Sequence, residues 1–342
     1  MLPQDLAPKL LGFLLLVQLW GCYPVRQAYY QNNLYNGRRK VAELKADPKS
    51  DPILVDKLTE LERVLDFATL HGLTVEENYR YYIDIGTKPV SYLVKAAEPL
   101  AFRFKTWWFP FVGTVPYLGF FSERERDEKA HELAGEGLDL HLTTAAAFSG
   151  LGWFEDPIYS SMLKRTPAGL AHLLFHELTH RTFWATDRAE FNENLAEFVA
   201  DLLLERYLME TGREEEYQLF LARKREEVLF MTWIRDLKAA LDRVYKENLS
   251  PARKSLEKER TLSLFLSLEK RPKFSGSWDP VASYTWNNAT IMSFGMYGMN
   301  VETIGKAYRC LGRELLDFLS ALTDLQQNEP AALEDLEEAF CG

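Results

Sequence analysis

Three of the chain's six histidines, His172, His176 and His180, fall within nine residues of one apolar run, and this spacing constrains the fold more than any other feature. Steps of four place side chains on one face of an α-helix, a turn apart, so His176 and His180 can reach a single metal ion. Thr166 followed by Pro167 is a helix start, with a capping residue ahead of proline at the first helical position. Leu170, Leu173, Leu174 and Leu178 then give the helix an apolar side. Glu177 sits beside His176, where a carboxylate can take a proton from water held by such an ion.

The next helical run supplies a further ligand. Asp187-Arg188-Ala189-Glu190 predicts a capping box, and helical period continues through Asp201. Along that run Glu193, Glu197 and Asp201 stand four apart on one face, amid Leu, Phe and Val. Carboxylates there are expensive to bury unless they pair or bind a cation. Structural zinc closes four protein ligands, whereas catalytic zinc takes three and keeps one position for water. One zinc per chain is therefore expected on His176, His180 and Glu193. Glu197 is expected to accept the second ring N–H of a ligating histidine, with Asp201 as a further support to the ligands. His172 is read as supporting or structural, not as a ligand.

Other motifs follow a recognisable order. Residues 115–121 read Val-Pro-Tyr-Leu-Gly-Phe-Phe, and residues 147–157 read Ala-Phe-Ser-Gly-Leu-Gly-Trp-Phe-Glu-Asp-Pro. Phe-His-Glu-Leu-Thr-His follows at 175–180, Phe-Asn-Glu-Asn-Leu-Ala at 191–196, and Asn287-Asn288-Ala289 with Tyr297 beyond. This series resembles a bacterial family of predicted aminopeptidases, zinc peptidases that carry the His-Glu-x-x-His helix. The departures, Phe148, Gly150 and Asn194-Leu195, touch no proposed ligand. The resemblance implies an α+β, zincin-like metallopeptidase with a small mixed sheet, an active-site helix and additional helical regions. It implies a peptide or protein substrate, and Tyr297 as hydrogen-bond donor to the oxyanion. In metallopeptidases of this type the strand before the active-site helix is often a sheet edge that binds peptide backbone, so residues 143–153 are expected to line the cleft. Asn287 and Asn288 are expected to hold their segment near the site.

Removal of N-terminal residues needs negative charge for the substrate ammonium, and Glu155 and Asp156 can supply it. Asp156 before Pro157 can equally cap a turn. The Gly-x-Met-Glu-Asn exopeptidase signature is missing, since Gly298-Met299-Asn300 contains no acidic residue. A zinc endopeptidase of the cell envelope therefore stays open as an alternative. So does a catalytically silent envelope lipoprotein that binds a partner, although the intact Glu177 and ligand set weigh against it.

The N-terminus reads as an export signal. Lys9 precedes an apolar run over residues 10–20, too short to span a membrane, ending in Leu19-Trp20-Gly21-Cys22. That ending resembles a lipobox. Residues 1–21 are expected to be removed as a lipoprotein signal peptide and Cys22 to carry lipid, which holds the chain on a membrane facing the periplasm or exterior. Residues 22–52 are expected to tether a single metallopeptidase domain over 53–335. In an oxidising compartment Cys310 and Cys341 can form a bridge or remain two buried thiols. A net charge of −10 with no basic stripe excludes nucleic acid as a partner, and Arg38-Arg39-Lys40 reads as a solvated loop.

Within the domain, a 47% apolar composition supports a substantial core. Helical period is expected over 56–70 and in the charged run 123–136. Strands are expected over 79–85 and 90–94 around a Gly-Thr-Lys-Pro turn, and over 138–142, where Leu alternates with polar residues. The aromatic-rich stretch 102–121 reads as core. Residues 213–268 read as a helical insertion, a hairpin broken at Ser250-Pro251 and packed across the active-site side. Apolar helix returns over 281–325.

Overall fold

Part of the expected tether is built into the domain. The computed structural model describes residues 34–86, 88–109, 113–145, 155–267, 269–274, 279–295, 301–312 and 314–341. In it β1 (Arg39–Lys40) is followed directly by α1 (Val41–Ala46), which buries Val41 and Leu44 in the main core. The basic cluster is thus strand edge, not loop, and Arg38 lies over the Tyr81 ring at 4.7 Å. Asp51 then caps α2 (Pro52–Leu70), its side chain accepting from Ile53 N at 3.0 Å. Leu58, Leu61, Val64, Leu65 and Ala68 recur with helical period, and all are fully buried.

Among the described residues the strands form three small sheets, not one. β2 (Tyr81–Ile83) pairs antiparallel with β1 and parallel with β8 (Ile158–Tyr159), giving a mixed sheet that leads into the active-site helix. β3 (Ser91–Ala97) belongs to another sheet, so the expected hairpin between 79–85 and 90–94 does not form. In chain order β4 (Trp107–Phe109) and β5 (Gly113–Val115) pair only with each other. β6 (Leu118–Phe120) and β7 (Asp139–Ala145) flank β3 in an antiparallel sheet, β7 at its edge. Between them α3 (Glu123–Gly135) packs Ala130 and Leu133 on Val94, Ala96, Leu118 and Phe120. The 102–121 stretch is therefore only partly core, since Trp108 is 60% and Tyr117 is 40% exposed.

Helices dominate the rest: α4 (Pro167–Thr182), α5 (Ala189–Glu210), α6 (Glu214–Lys246) and α7 (Pro251–Leu266). Leu174, Phe175 and Leu178 of α4 meet Leu195, Val199 and Leu203 of α5 and the buried face of α2 in one core. The expected 213–268 hairpin is present as α6 and α7. Ser250 caps the second arm, and Lys258 ties it to the sheet through Pro99 O (2.9 Å) and Asp139 Oδ2 (2.5 Å). Shorter helices follow, α8 (Pro280–Ser283), α9 (Asn288–Gly295), α10 (Val301–Leu311), α11 (Leu315–Asn328) and α12 (Leu336–Cys341). The architecture is mixed α+β, mostly helical with small sheets. No helix among the described residues is long and apolar enough to cross a membrane.

The two cysteines left open by the sequence are bridged. Cys310 on α10 and Cys341 on α12 form a disulfide across 31 residues. Closing a loop of that length restricts the unfolded chain and contributes about 2–4 kcal/mol. Reduction is expected to lower the melting temperature by several degrees. An unchanged melt, with the bridge shown open by mass spectrometry, would contradict a stabilising role.

Candidate metal centre

α4 and α5 run antiparallel in the most extensive helix–helix contact of the described residues. Thr166 caps α4 as expected, accepting from Gly169 N at 3.1 Å. The capping box expected at Asp187 does not form. Asp187 takes a left-handed φ of 59°, and α5 starts after Arg188 with no side-chain cap. The turn is closed instead by Asn192, whose side-chain amide pairs both ways with the Ala185 backbone at 2.8 Å. This buried amide sets the angle at which α5 returns along α4.

The return brings the two stripes face to face. His172 Nε2 lies 2.8 Å from Asp201 Oδ1, His176 Nδ1 3.6 Å from Glu197 Oε2, and His180 Nε2 3.6 Å from Glu193 Oε1. At the third rung the atoms converge. The Nε2 atoms of His176 and His180 are 3.2 Å apart, and His176 Nε2 is 3.5 Å from Glu193 Oε2. A tetrahedral ion holding ligands at about 2.0–2.1 Å separates neighbouring ligand atoms by about 3.3–3.4 Å, close to these spacings. Two imidazole nitrogens aimed at each other are a poor arrangement unless a cation lies between them. His180 Nδ1 is also buried without a hydrogen-bond partner. The trio can hold a metal ion.

Electrostatics shows how strongly the site wants positive charge. Burial pushes the His176 imidazole down, yet the contacts with Glu193 and Glu197 raise it to about 10. Burial, then the charge on His176, pushes its neighbour His180 down to about 4. A proton on His176 thus does part of the work of a cation. Glu177 is raised to about 7, chiefly by burial, with Glu193 and Asp156 adding and His176 opposing.

Glu197 has a supporting place, as expected, but its strongest partner was not legible. Lys224 on α6 contacts the Glu197 carboxylate directly and lies 3.0 Å from Asp201 Oδ1. Burial opposes ionisation of Glu197, but His176, His172 and Lys224 hold it well below the usual carboxylate range. His172, Glu197 and Asp201 form a second ion-sized group, already compensated by that ammonium. Only the 27-residue separation of Lys224 from Glu197 and its place on an amphipathic helix are visible in sequence, and neither signals the contact.

The remaining expected residues divide. Asp156 is buried, its N–H donating to Asn78 Oδ1 at 2.9 Å, and its charge reaches Glu177. Glu155 is exposed, and only its carbonyl is used, accepting from Tyr35 Oη at 3.0 Å. Tyr79, missed by sequence reasoning, is buried in the electrostatic range of Glu177. Its φ of 62° is uncommon for an aromatic residue, and its N–H donates to Asp156 O at 2.6 Å. Asn287 and Asn288 pin the sheet, not the metal centre: Asn287 Nδ2 donates to Leu140 O, and Asn288 Nδ2 to Glu98 O, each at 2.8 Å. Cys22, residues 146–154 and Tyr297 lie outside the described residues.

A paired-histidine helix and an acidic helix around one ion-sized gap, in a mixed α+β chain, define a candidate metal-dependent hydrolase. The family described as "Putative aminopeptidase" matches residues 22–335, and the chain belongs to that family. No curated protein and no solved structure matches it. Membership supports a peptidase-like function.

The raised His176 gives a testable sign. In the ion-free protein its extra stability is full below the unfolded histidine value of about 6.5 and is lost as pH rises through about 10. Metal ligation needs the neutral ring, so loading near neutral pH is expected to release about one proton from His176. Calorimetry in buffers of different ionisation heat measures this release. Zero release would refute the assigned protonation of the pair.

Proposed function

We propose that the protein is a zinc-dependent peptidase, an aminopeptidase held at the cell envelope by lipid on Cys22. The convergence of His176, His180 and Glu193 within 3.6 Å of one another, beside the poised Glu177, carries this reading. His176, His180 and Glu193 would hold the zinc, which would supply Lewis acidity toward the scissile carbonyl and water. Glu177, held near pKa 7, accepts the proton of the attacking water and returns it to the leaving amine. Glu197, braced by Lys224, faces His176 Nδ1 and orients that ring. Asp156, buried within reach of Glu177, is the better of the two expected acids for the substrate ammonium, because Glu155 is directed to solvent. Tyr297 is assigned as oxyanion donor on the family resemblance.

The edge position of β7 supports a zincin-like arrangement. Asn287 occupies the Leu140 carbonyl, and among the described residues no strand pairs with the outer edge of residues 142–145, where an extended peptide can add. Such an edge also admits chain on both sides of the cleaved bond, which favours endopeptidase action as the alternative. Peptides with free and blocked N-termini separate the two.

Glu177→Gln keeps size and reach but removes the base. Peptide hydrolysis is expected to fall about 10²–10⁴-fold, with zinc content and melting temperature unchanged. Zinc lost together with activity would show Glu177 to be structural. A metal-loaded wild type that cleaves nothing in a broad library would favour the silent binding lipoprotein.

The Leu19-Trp20-Gly21-Cys22 ending after an apolar run carries the anchor assignment. Cys22→Ser is expected to release the protein from membranes or leave its signal uncleaved. Equal membrane association of both forms, with no lipid on either N-terminus, overturns the lipoprotein assignment.

A further inference from the structure

One buried cation near the metal centre has no part in this chemistry. Along β3, Val94 and Ala96 face α3, so alternation sends Lys95 to the opposite face of the sheet. There it stands in register with His141 of β7. Tyr117 directly precedes β6, whose last pair with β3 is Val94↔Leu118. A polar pair, Lys95–His141, therefore crosses the sheet, with Tyr117 at its margin. His141 is committed to α9, with Nδ1 3.3 Å from Thr290 Oγ1.

Lys95 is 7% exposed, and among the described residues its ammonium makes no ion pair or hydrogen bond. Burial lowers it to about 8, and the charge that opposes this is Glu193. Burial raises Glu193, but its histidine partners and Lys95 hold it below its ordinary value, so the ammonium acts on the metal centre. Tyr117 exposes part of its ring, but the partial burial of its hydroxyl, then the charges of Glu193 and Glu177, raise it and keep it a donor. A buried cation is unfavourable without a counter-charge. Once Glu193 gives its charge to a metal ion, nothing in the described structure compensates Lys95.

We propose that Lys95, with the Tyr117 hydroxyl beside it, receives a carboxylate of the peptide substrate, so that the cleft selects peptides carrying one next to the scissile bond. This rests on the metal-peptidase reading of the site. The carboxylate can belong to an acidic side chain or to a free C-terminus, and recognition is the same for both.

The test uses metal-loaded Glu177→Gln protein, which holds peptides without turnover, and calorimetric Kd values for two pairs. Ala-Glu-amide against Ala-Gln-amide reads the side-chain source, and Ala-Ala against Ala-Ala-amide the terminal source. In at least one pair the carboxylate form is expected to bind about 10- to 100-fold tighter, as a charge-assisted contact does. Adding Lys95→Met should erase that difference, while Lys95→Arg should keep part of it, at equal metal content. Equal binding within both pairs overturns the proposal without the need for a Lys95 variant. A preference that survives Lys95→Met also overturns it. So does a uniform loss of kcat with every peptide in the otherwise wild-type Lys95→Met enzyme, with carboxylate preference intact, which would place Lys95 on the oxyanion. If metal-loaded protein binds none of the peptides, the peptidase reading itself falls, an outcome distinct from binding without discrimination.

Discussion

The antiparallel pairing of α4 with α5 is the interaction on which the rest of the structure depends. Three imidazoles at 172, 176 and 180 meet three carboxylates at 201, 197 and 193 as successive rungs. Apolar burial behind the rungs, by Leu174, Phe175, Leu178, Leu195 and Val199, supplies most of the attraction. The charges add register. A slip of one turn would leave a histidine or a carboxylate at each end buried opposite no partner, an arrangement much less favourable than the pairs themselves.

The rungs are not equivalent, and that asymmetry decides where an ion goes. At the 172/201 end, Lys224 supplies the positive charge, contacting Glu197 and Asp201. At the 180/193 end no side chain among the described residues makes an ion pair of that kind, and the contacts with Glu193 and Glu197 favour positive charge on His176 over His180. Of the two ion-sized groups, one is filled by the protein's own ammonium and the other is free to take a metal. The long helix α6 thus limits the ladder to one exchangeable position as well as packing on it.

The sheet is placed by different forces. Asn288, fully buried, donates to Glu98 O and Ala101 O, accepts from Tyr245 Oη, and receives its helix start through Asp139. These bonds fix one end of β3 and β7 relative to α6 and α9. With α3 covering the other face, Lys95 is left on the face opposite it, where its charge acts on Glu193. The turn at Asn78 and Tyr79 likewise holds Asp156 near Glu177, with Asp156 N–H donating to Asn78 Oδ1 and Tyr79 N–H to Asp156 O.

His176, Glu177, His180 and Glu193 were legible because their meaning lies in a local period: residues four apart on a helix share a face whatever the helix packs on. The same period exposed Glu197 and Asp201, and Thr166-Pro167 marked a start that local backbone chemistry enforces. Asp187 misled because its capping pattern competes with a turn that Asn192 closes, an outcome set by burial of that amide. Residues 39–46 read as tether because Val41 and Leu44 are the only large apolar residues there, and their burial depends on a surface built from distant segments. Strands 81–83 and 91–97 entered different sheets because pairing partners lie up to about eighty residues away, beyond any local signal. Lys224 and Lys95 carry charges whose significance exists only beside Glu197 and Glu193. Side-chain periodicity was thus determined by the sequence alone, whereas the choice of which faces meet, and so which charges share a cavity, belongs to packing across the whole chain.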